Sequence, residues 1–258
     1  MLVFVGLGLR GIDGMSLQAL REIKESEVVY AEFYTSAIPG LKISELERLV
    51  GKGIKIVSRE IVEHHPDGII RDALNKKVAF LVPGDPMVAT THVDLRLRAA
   101  KAGVVTKIVH GTSIVSAAAG ISGLQSYKFG RSATIPFPDN PSQTPYEVLA
   151  ENKKRGLHTL FLLDIRAEQN KIMSANEAIE ILLGLEEKLG EKVFTPSTLA
   201  VVIARAGSDD SIVVADSAAS LLRMDFREPP HVLIVPGRLH FVEKEALGIF
   251  ASAPPEAL

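Results

Sequence analysis

The 258-residue sequence contains no cysteine, which excludes disulfide bridges, thiolate nucleophiles and cysteine-ligated metals from the outset. It also lacks an excess of positive charge. Lys and Arg total 29 against 31 acidic residues, a net charge of -2, so there is no basic field to neutralise the phosphates of a nucleic acid. No direct nucleic-acid partner is expected. No apolar run reaches the ~18 residues of a membrane span, and the opening segment Leu2 to Leu9 is too short, and too poor in preceding positive charge, for a secretion signal. A soluble protein with no membrane partner is expected, and a cytoplasmic location fits.

Several catalytic signatures are missing as well. Without Gly-x-x-x-x-Gly-Lys-Ser/Thr, triphosphate hydrolysis on a phosphate loop lacks its basic component, and without Gly-x-Ser-x-Gly there is no nucleophile elbow. The histidines suggest no metal. His64 and His65 are adjacent and would point apart on a strand, while His92, His110, His231 and His240 lack any paired ligand spacing.

What is present reads as α/β. Apolar residues make up 47% and charged residues 23%, the mix of an ordinary globular protein, and a length of 258 residues favours two domains slightly over one large one. Leu2 to Leu9 is a continuous apolar run closed by glycines, as expected of a first, central strand buried on both faces of a parallel sheet. Asp13 or Ser16 can cap a following helix whose apolar positions are Leu17, Leu20 and Ile23. Apolar segments at Val28 to Tyr30, Ile54 to Val57, Val78 to Val82 and Val104 to Val109 alternate with helical stretches, which predicts βαβ crossovers.

Composition then changes, becoming rich in Ser, Ala and Gly from Thr112 to Gly123 and in Pro, Asn and Asp from Arg131 to Pro145. The domain junction is placed just before, giving an N-terminal α/β domain over 1–110 and a C-terminal α/β domain over 111–258. In the second domain, strands are expected at His158 to Ile165, Leu199 to Ala204, Ile212 to Ala215 and His231 to Val235. Ser174-Ala-Asn-Glu177 is a capping box opening a helix that runs to Gly190. Closer strands and fewer long helices predict a mixed sheet, and Pro138 to Tyr146 reads as loop.

Gly6-Leu-Gly-Leu-Arg-Gly11 matches the dinucleotide fingerprint, with Glu32 at the spacing of a ribose ligand. Ile12-Asp-Gly14 counts against that reading, because it sets a turn where the first helical turns should meet a pyrophosphate. A tight strand exit, or backbone approach to another ligand, remains. Pro83-Gly-Asp-Pro86 follows an apolar strand, so Asp85 either forms a turn or accepts hydrogen bonds from a hydroxyl or ammonium group in a ligand crevice. Ser113, at a strand-to-helix turn, fits a cap or a ligand contact rather than a nucleophile.

Val5-Gly-Leu-Gly-Leu9, Ala31-Glu-Phe-Tyr-Thr-Ser36, Pro83 to His92, Leu157-His-Thr-Leu160, Ala204-Arg-Ala-Gly-Ser208 and Pro229 to Gly237 together resemble the archaeal diphthine synthase family, across nearly the whole chain and in the family's order. The resemblance implies the tetrapyrrole methylase fold: two α/β domains, the first mostly parallel and the second mixed, with S-adenosylmethionine held in the cleft between them. Carried over by position, the cofactor contacts would be Leu9, Asp85, Val88, Ser113, Ile114, Leu163, Ala206 and His231. The implied activity is repeated methylation of the amino group of a 3-amino-3-carboxypropyl-histidine on translation elongation factor 2, by a homodimer. It implies no catalytic residue. The competing expectations are a methyltransferase of a tetrapyrrole or other small acceptor, an NAD(P)-dependent dehydrogenase built on Gly6 to Gly11, and a noncatalytic ligand-binding protein.

Overall fold

A computed structural model describes all residues from Met1 to Leu258. The chain divides into two compact units, Met1–Ile114 and Val115–Leu258. The first alternates strand and helix: β1 (Leu2–Gly6), α1 (Leu17–Glu25), β2 (Val28–Ala31), α2 (Ile43–Val50), β3 (Lys55–Ile56), α3 (Arg59–Glu63), α4 (Asp67–Asn75), β4 (Val78–Val82), α5 (His92–Lys101) and β5 (Thr106–Val109). Its five strands are all parallel, in the order β3-β2-β4-β1-β5. Every residue of β1 and β4 is buried, which explains why both read as unbroken apolar runs. In such a sheet every strand delivers its C-terminal end to the same edge, so the loops after β4, β1 and β5 emerge side by side.

Local chemistry sets the element ends. Ser16, not Asp13, caps α1 by accepting from the Ala19 amide at 3.0 Å. β1 stops three residues before Leu9, because Gly8 leaves the ladder to exchange two backbone hydrogen bonds with Gly84. Neither is β1 the middle strand, a place taken by β4. His64 and His65 lie at the end of α3 rather than on a strand, and both approach Glu60.

The second unit begins within α6 (Ile114–Ser122) and continues with β6 (Ala133–Ile135), α7 (Thr144–Lys154), β7 (Thr159–Leu163), the hairpin β8 (Ile165–Arg166) and β9 (Lys171–Ile172), α8 (Ala175–Leu189), β10 (Leu199–Ala204), β11 (Ile212–Ser217), α9 (Ala218–Leu221), β12 (His231–Val235) and α10 (Phe241–Phe250). The main sheet has the order β11-β10-β12-β7-β6, with only the β6–β7 pair parallel. It is the mixed sheet that the sequence predicts. Both halves of the Ser174–Glu177 capping box form, and Gly190 ends α8 in the left-handed conformation at φ 69°.

Three expectations need correction. The Pro138-to-Tyr146 loop turns helical at Thr144, and Tyr146 is buried with its hydroxyl donating to Glu186 at 2.9 Å. The strand expected to reach Ile165 ends at Leu163, since Ile165 pairs in the separate hairpin. Nor is this half short of long helices: α8 spans 15 residues, α7 11 and α10 10. No helix is long and apolar enough to cross a membrane.

Candidate functional site

In the first unit the loops leaving β1, β4 and β5 are tied to one another through backbone. A side-chain carbon added at Gly6 would lie 2.5 Å from the Gly111 nitrogen and 2.6 Å from the Gly84 oxygen. One added at Gly111 would lie 2.2 Å from that same oxygen. Three chain segments thus meet where only glycine fits. Gly8 has a positive φ of 74°, and a side-chain carbon added there would lie 2.6 Å from the Gly14 oxygen; the Gly14 amide donates to the Arg10 oxygen at 2.6 Å. The glycine motif is therefore used for loop-to-loop packing and a tight turn. Helix α1 begins only at Leu17, so no helix N-terminus meets Gly8. Glu32 is fully buried and already receives the Tyr34 and Thr35 amides at 3.0 Å each and the Thr35 hydroxyl at 2.5 Å. It is closed to a ribose, and the dinucleotide reading fails on both counts.

Asp85 occupies the turn after β4 and is 6% exposed. Its Oδ1 accepts from the Met87 amide at 2.9 Å and its Oδ2 from His110 Nδ1 at 2.8 Å. Turn-forming and ligand-facing roles are compatible here, because each carboxylate oxygen keeps a second lone pair. A buried layer supports the loop. His92 Nδ1 donates to the Pro86 carbonyl at 3.2 Å, so its Nε2 is the acceptor for the Tyr34 hydroxyl, also at 3.2 Å. Burial holds His92 below the usual imidazole range, which keeps it in this neutral form. Burial likewise pushes the nearby Glu32 carboxyl up to about 7, against the opposing pull of the Thr35 and Tyr34 donors.

The remaining first-unit positions named from sequence gather at the same sheet edge. Leu9 is half-buried beyond β1, Val88 is exposed two residues past Pro86, and half-buried Ser113 and Ile114 follow Gly111 into α6. In the second unit, Leu163 ends β7, Ala206 lies two residues past β10, and His231 opens β12. β12 runs antiparallel to both neighbours, with His231 opposite Ala204 and Val232 opposite Leu162. These three residues therefore share one edge of their own sheet.

His231 carries the clearest signal. It is 5% exposed, and its Nδ1 accepts from the Ala175 amide at 3.1 Å, one of the otherwise unpaired donors at the start of α8. The proton of the neutral ring is then on Nε2. Burial keeps the ring neutral by lowering its pKa, although the carbonyls of Glu228, Phe226 and Arg227 lie close enough to oppose the shift. Nε2 is the one buried side-chain nitrogen or oxygen without a hydrogen-bond partner. An unpaired buried donor costs about 1–3 kcal/mol, and a ligand acceptor would remove that cost.

Arg205 fixes the segment leading to His231. It sits in the left-handed region at φ 48°, donates to the Phe226 and Glu228 carbonyls at 2.7 and 2.8 Å, and reaches Asp210 at 2.7 Å. Sequence reasoning missed Arg205, His92 and the Asp85–His110 contact. The first two lie inside motifs read only as resemblance, and the third joins residues 25 apart in sequence. No group of three or more His, Cys, Asp or Glu residues is arranged to hold a metal ion.

Comparison with known proteins agrees with this architecture. The family model for tetrapyrrole (corrin/porphyrin) methylases matches residues 1–222. A diphthine synthase of Methanosarcina mazei is 49% identical over 100% of this chain and 98% of its own length. Another, from Methanocella arvoryzae, is 50% identical over 96% of each. A crystal structure of diphthine synthase superposes with a TM-score of 0.91 at 40% identity, covering 99% of this chain and 98% of that one. With the dinucleotide fingerprint accounted for as loop packing, and relatives matching end to end, the chain belongs to the tetrapyrrole methylase family and, within it, to the diphthine synthases.

Proposed function

We propose that the protein is an S-adenosylmethionine-dependent N-methyltransferase that trimethylates the amino group of the 3-amino-3-carboxypropyl-histidine of translation elongation factor 2, in diphthamide biosynthesis. The observation that carries this reading is the 49% identity to a diphthine synthase over the full length of both proteins. The cofactor contacts would be Leu9, Asp85, Val88, Ser113 and Ile114 of the first unit and Leu163, Ala206 and His231 of the second.

The donor set suits this cofactor. Asp85 offers carboxylate lone pairs to a hydroxyl or ammonium group, His231 offers the unpaired Nε2–H, and Leu9, Val88 and Ile114 offer apolar surface, while Leu163 is buried at the end of β7. Bound S-adenosylmethionine supplies a methyl group already activated on a sulfonium. What the chain must add is alignment of the acceptor nitrogen with that methyl carbon, which accounts for much of the rate in an intramolecular-like reaction. The Gly6–Gly84–Gly111 packing and the His92 bond to Pro86 serve that end by fixing the loop that bears Asp85. The active form would be a cytoplasmic homodimer.

The test is incubation with methyl-labelled S-adenosylmethionine and elongation factor 2 carrying the unmethylated side chain. Label should enter the factor up to three equivalents. No transfer to the factor, with transfer to a tetrapyrrole instead, would reassign the acceptor. Calorimetry with S-adenosylhomocysteine, NAD(H) and NADP(H) should show binding of the first alone, and sedimentation should give the mass of a dimer.

A further inference from the structure

We propose that His110 is a catalytic residue, the proton acceptor for the substrate amine, oriented by Asp85. The inference rests on the methyltransferase reading above. Each of the three transfers needs the acceptor nitrogen to present a lone pair, so an ammonium proton must leave before every N–C bond forms. His110 stands at the end of β5, three residues before Ser113, and bonds directly to Asp85, which ties it to the loops proposed to hold the cofactor. Its Nδ1 faces the carboxylate at 2.8 Å, so the neutral ring carries its proton on Nδ1 and leaves Nε2 as a bare acceptor. The side chain is 73% exposed, as acceptance from a residue of a protein substrate requires.

The other histidines do not combine these features. His92 and His158 are buried with both ring nitrogens engaged, and His231 carries its proton on Nε2. His240 caps α10 through Nδ1, and His64 and His65 lie beside Glu60 at the end of α3. Carboxylate, imidazole with a fixed tautomer and open Nε2 together form the orienter-and-base pair of general base catalysis. In the step, His110 Nε2 takes a proton from the substrate ammonium. The freed nitrogen lone pair forms the N–C bond as the C–S bond of the sulfonium breaks, its electron pair passing to sulfur. The imidazolium then releases the proton to solvent.

His110→Asn and His110→Ala test this together. The Asn amide can still donate to Asp85 from the place of Nδ1, yet it has no basic nitrogen. Both variants should lose about 100-fold in kcat for methylation of the factor, the usual scale of a general base. Their affinity for S-adenosylhomocysteine by calorimetry should stay within about twofold of wild type. Imidazole in the medium should restore part of the His110→Ala activity. Nitrogen-15 spectra of the unliganded protein should show the neutral His110 ring protonated on Nδ1. Near-normal activity in His110→Asn would overturn the proposal, since the residue would then only position Asp85. So would S-adenosylhomocysteine affinity falling in step with kcat, or a neutral ring protonated on Nε2. A wild-type protein that transfers no label would instead remove the methyltransferase reading, and this proposal with it.

Discussion

Gly111→Ala is the most direct test of the loop packing. The added carbon would lie 2.2 Å from the Gly84 oxygen, 2.8 Å from the Gly6 carbonyl carbon and 2.9 Å from the Gly8 nitrogen. Every one of these is a backbone atom, so no flexible side chain can swing aside. Contact between carbon and its neighbours is comfortable near about 3.5 Å, so the Pro83–Gly84 and Gly6–Gly8 segments must retreat by roughly 1 Å. Overpacking of this kind costs about 1–3 kcal/mol. For a chain of this size that corresponds to a fall in melting temperature of roughly 2–4 °C per kcal/mol, or ~2–12 °C in all. The displaced segment carries Asp85, so S-adenosylhomocysteine affinity should fall as well. Gly120→Ala is the control, because nothing lies within 4 Å of its added carbon on an exposed face of α6, and helix propensity should make it neutral or stabilising by up to ~1 kcal/mol. Differential scanning calorimetry and binding calorimetry read both variants. A Gly111→Ala protein with wild-type melting temperature and affinity would refute the packing argument.

Replacing Glu32 by Gln should flatten the neutral part of the stability–pH curve. Its carboxyl is raised from 4.5 to about 7 by burial, so the folded state binds the proton more tightly than the unfolded. Wild type should therefore lose about 3 kcal/mol as pH rises from 4.5 through 7, a loss that urea titrations at several pH values should find missing in the variant. Glu243 behaves in the opposite sense. Burial alone would raise its pKa, but the His240 amide, the Lys128 ammonium, the Gln125 amide and His158 together hold it down at about 2. Its contribution is present above 4.5 and lost as pH falls toward 2, and Glu243→Gln should remove about 3 kcal/mol of that acid dependence in the same titrations. His231→Ala strips the Ala175 amide of its acceptor and removes the unpaired donor, so calorimetry should show S-adenosylhomocysteine binding weakened by roughly tenfold or more. Unchanged affinity would take His231 out of the site.

The sheet strands were legible because their burial is a property of each strand alone. Two-sided burial of β1 and β4 requires an apolar residue at every position whatever lies next to them, and the Ser174–Glu177 box needs only residues of one helix turn. Helix α7 was lost for the converse reason. Pro145, Tyr146, Val148, Leu149, Ala150 and Asn152 are all buried, so no clean apolar stripe marks it out among the surrounding Pro, Asn and Ser. Pro145 in its first turn was the available start signal. Helix α10 hides behind an uncommon cap, the His240 ring.

The candidate site was the least legible part, because its defining contacts cross the sheet. β4 and β5 are not neighbours: β1 lies between them, which sets their backbones roughly 10 Å apart at about 4.8 Å per strand. Asp85 and His110 can meet only if the loops that follow β4 and β5 close over the end of β1. The residue at that end is Gly6, and a side chain there would occupy the space now taken by the Gly84 oxygen and the Gly111 nitrogen. The glycine that imitates a dinucleotide fingerprint is thus the one that lets a carboxylate on one strand's loop reach an imidazole on another's. Its meaning depends on residues 84 and 111, which no local spacing rule connects to residue 6.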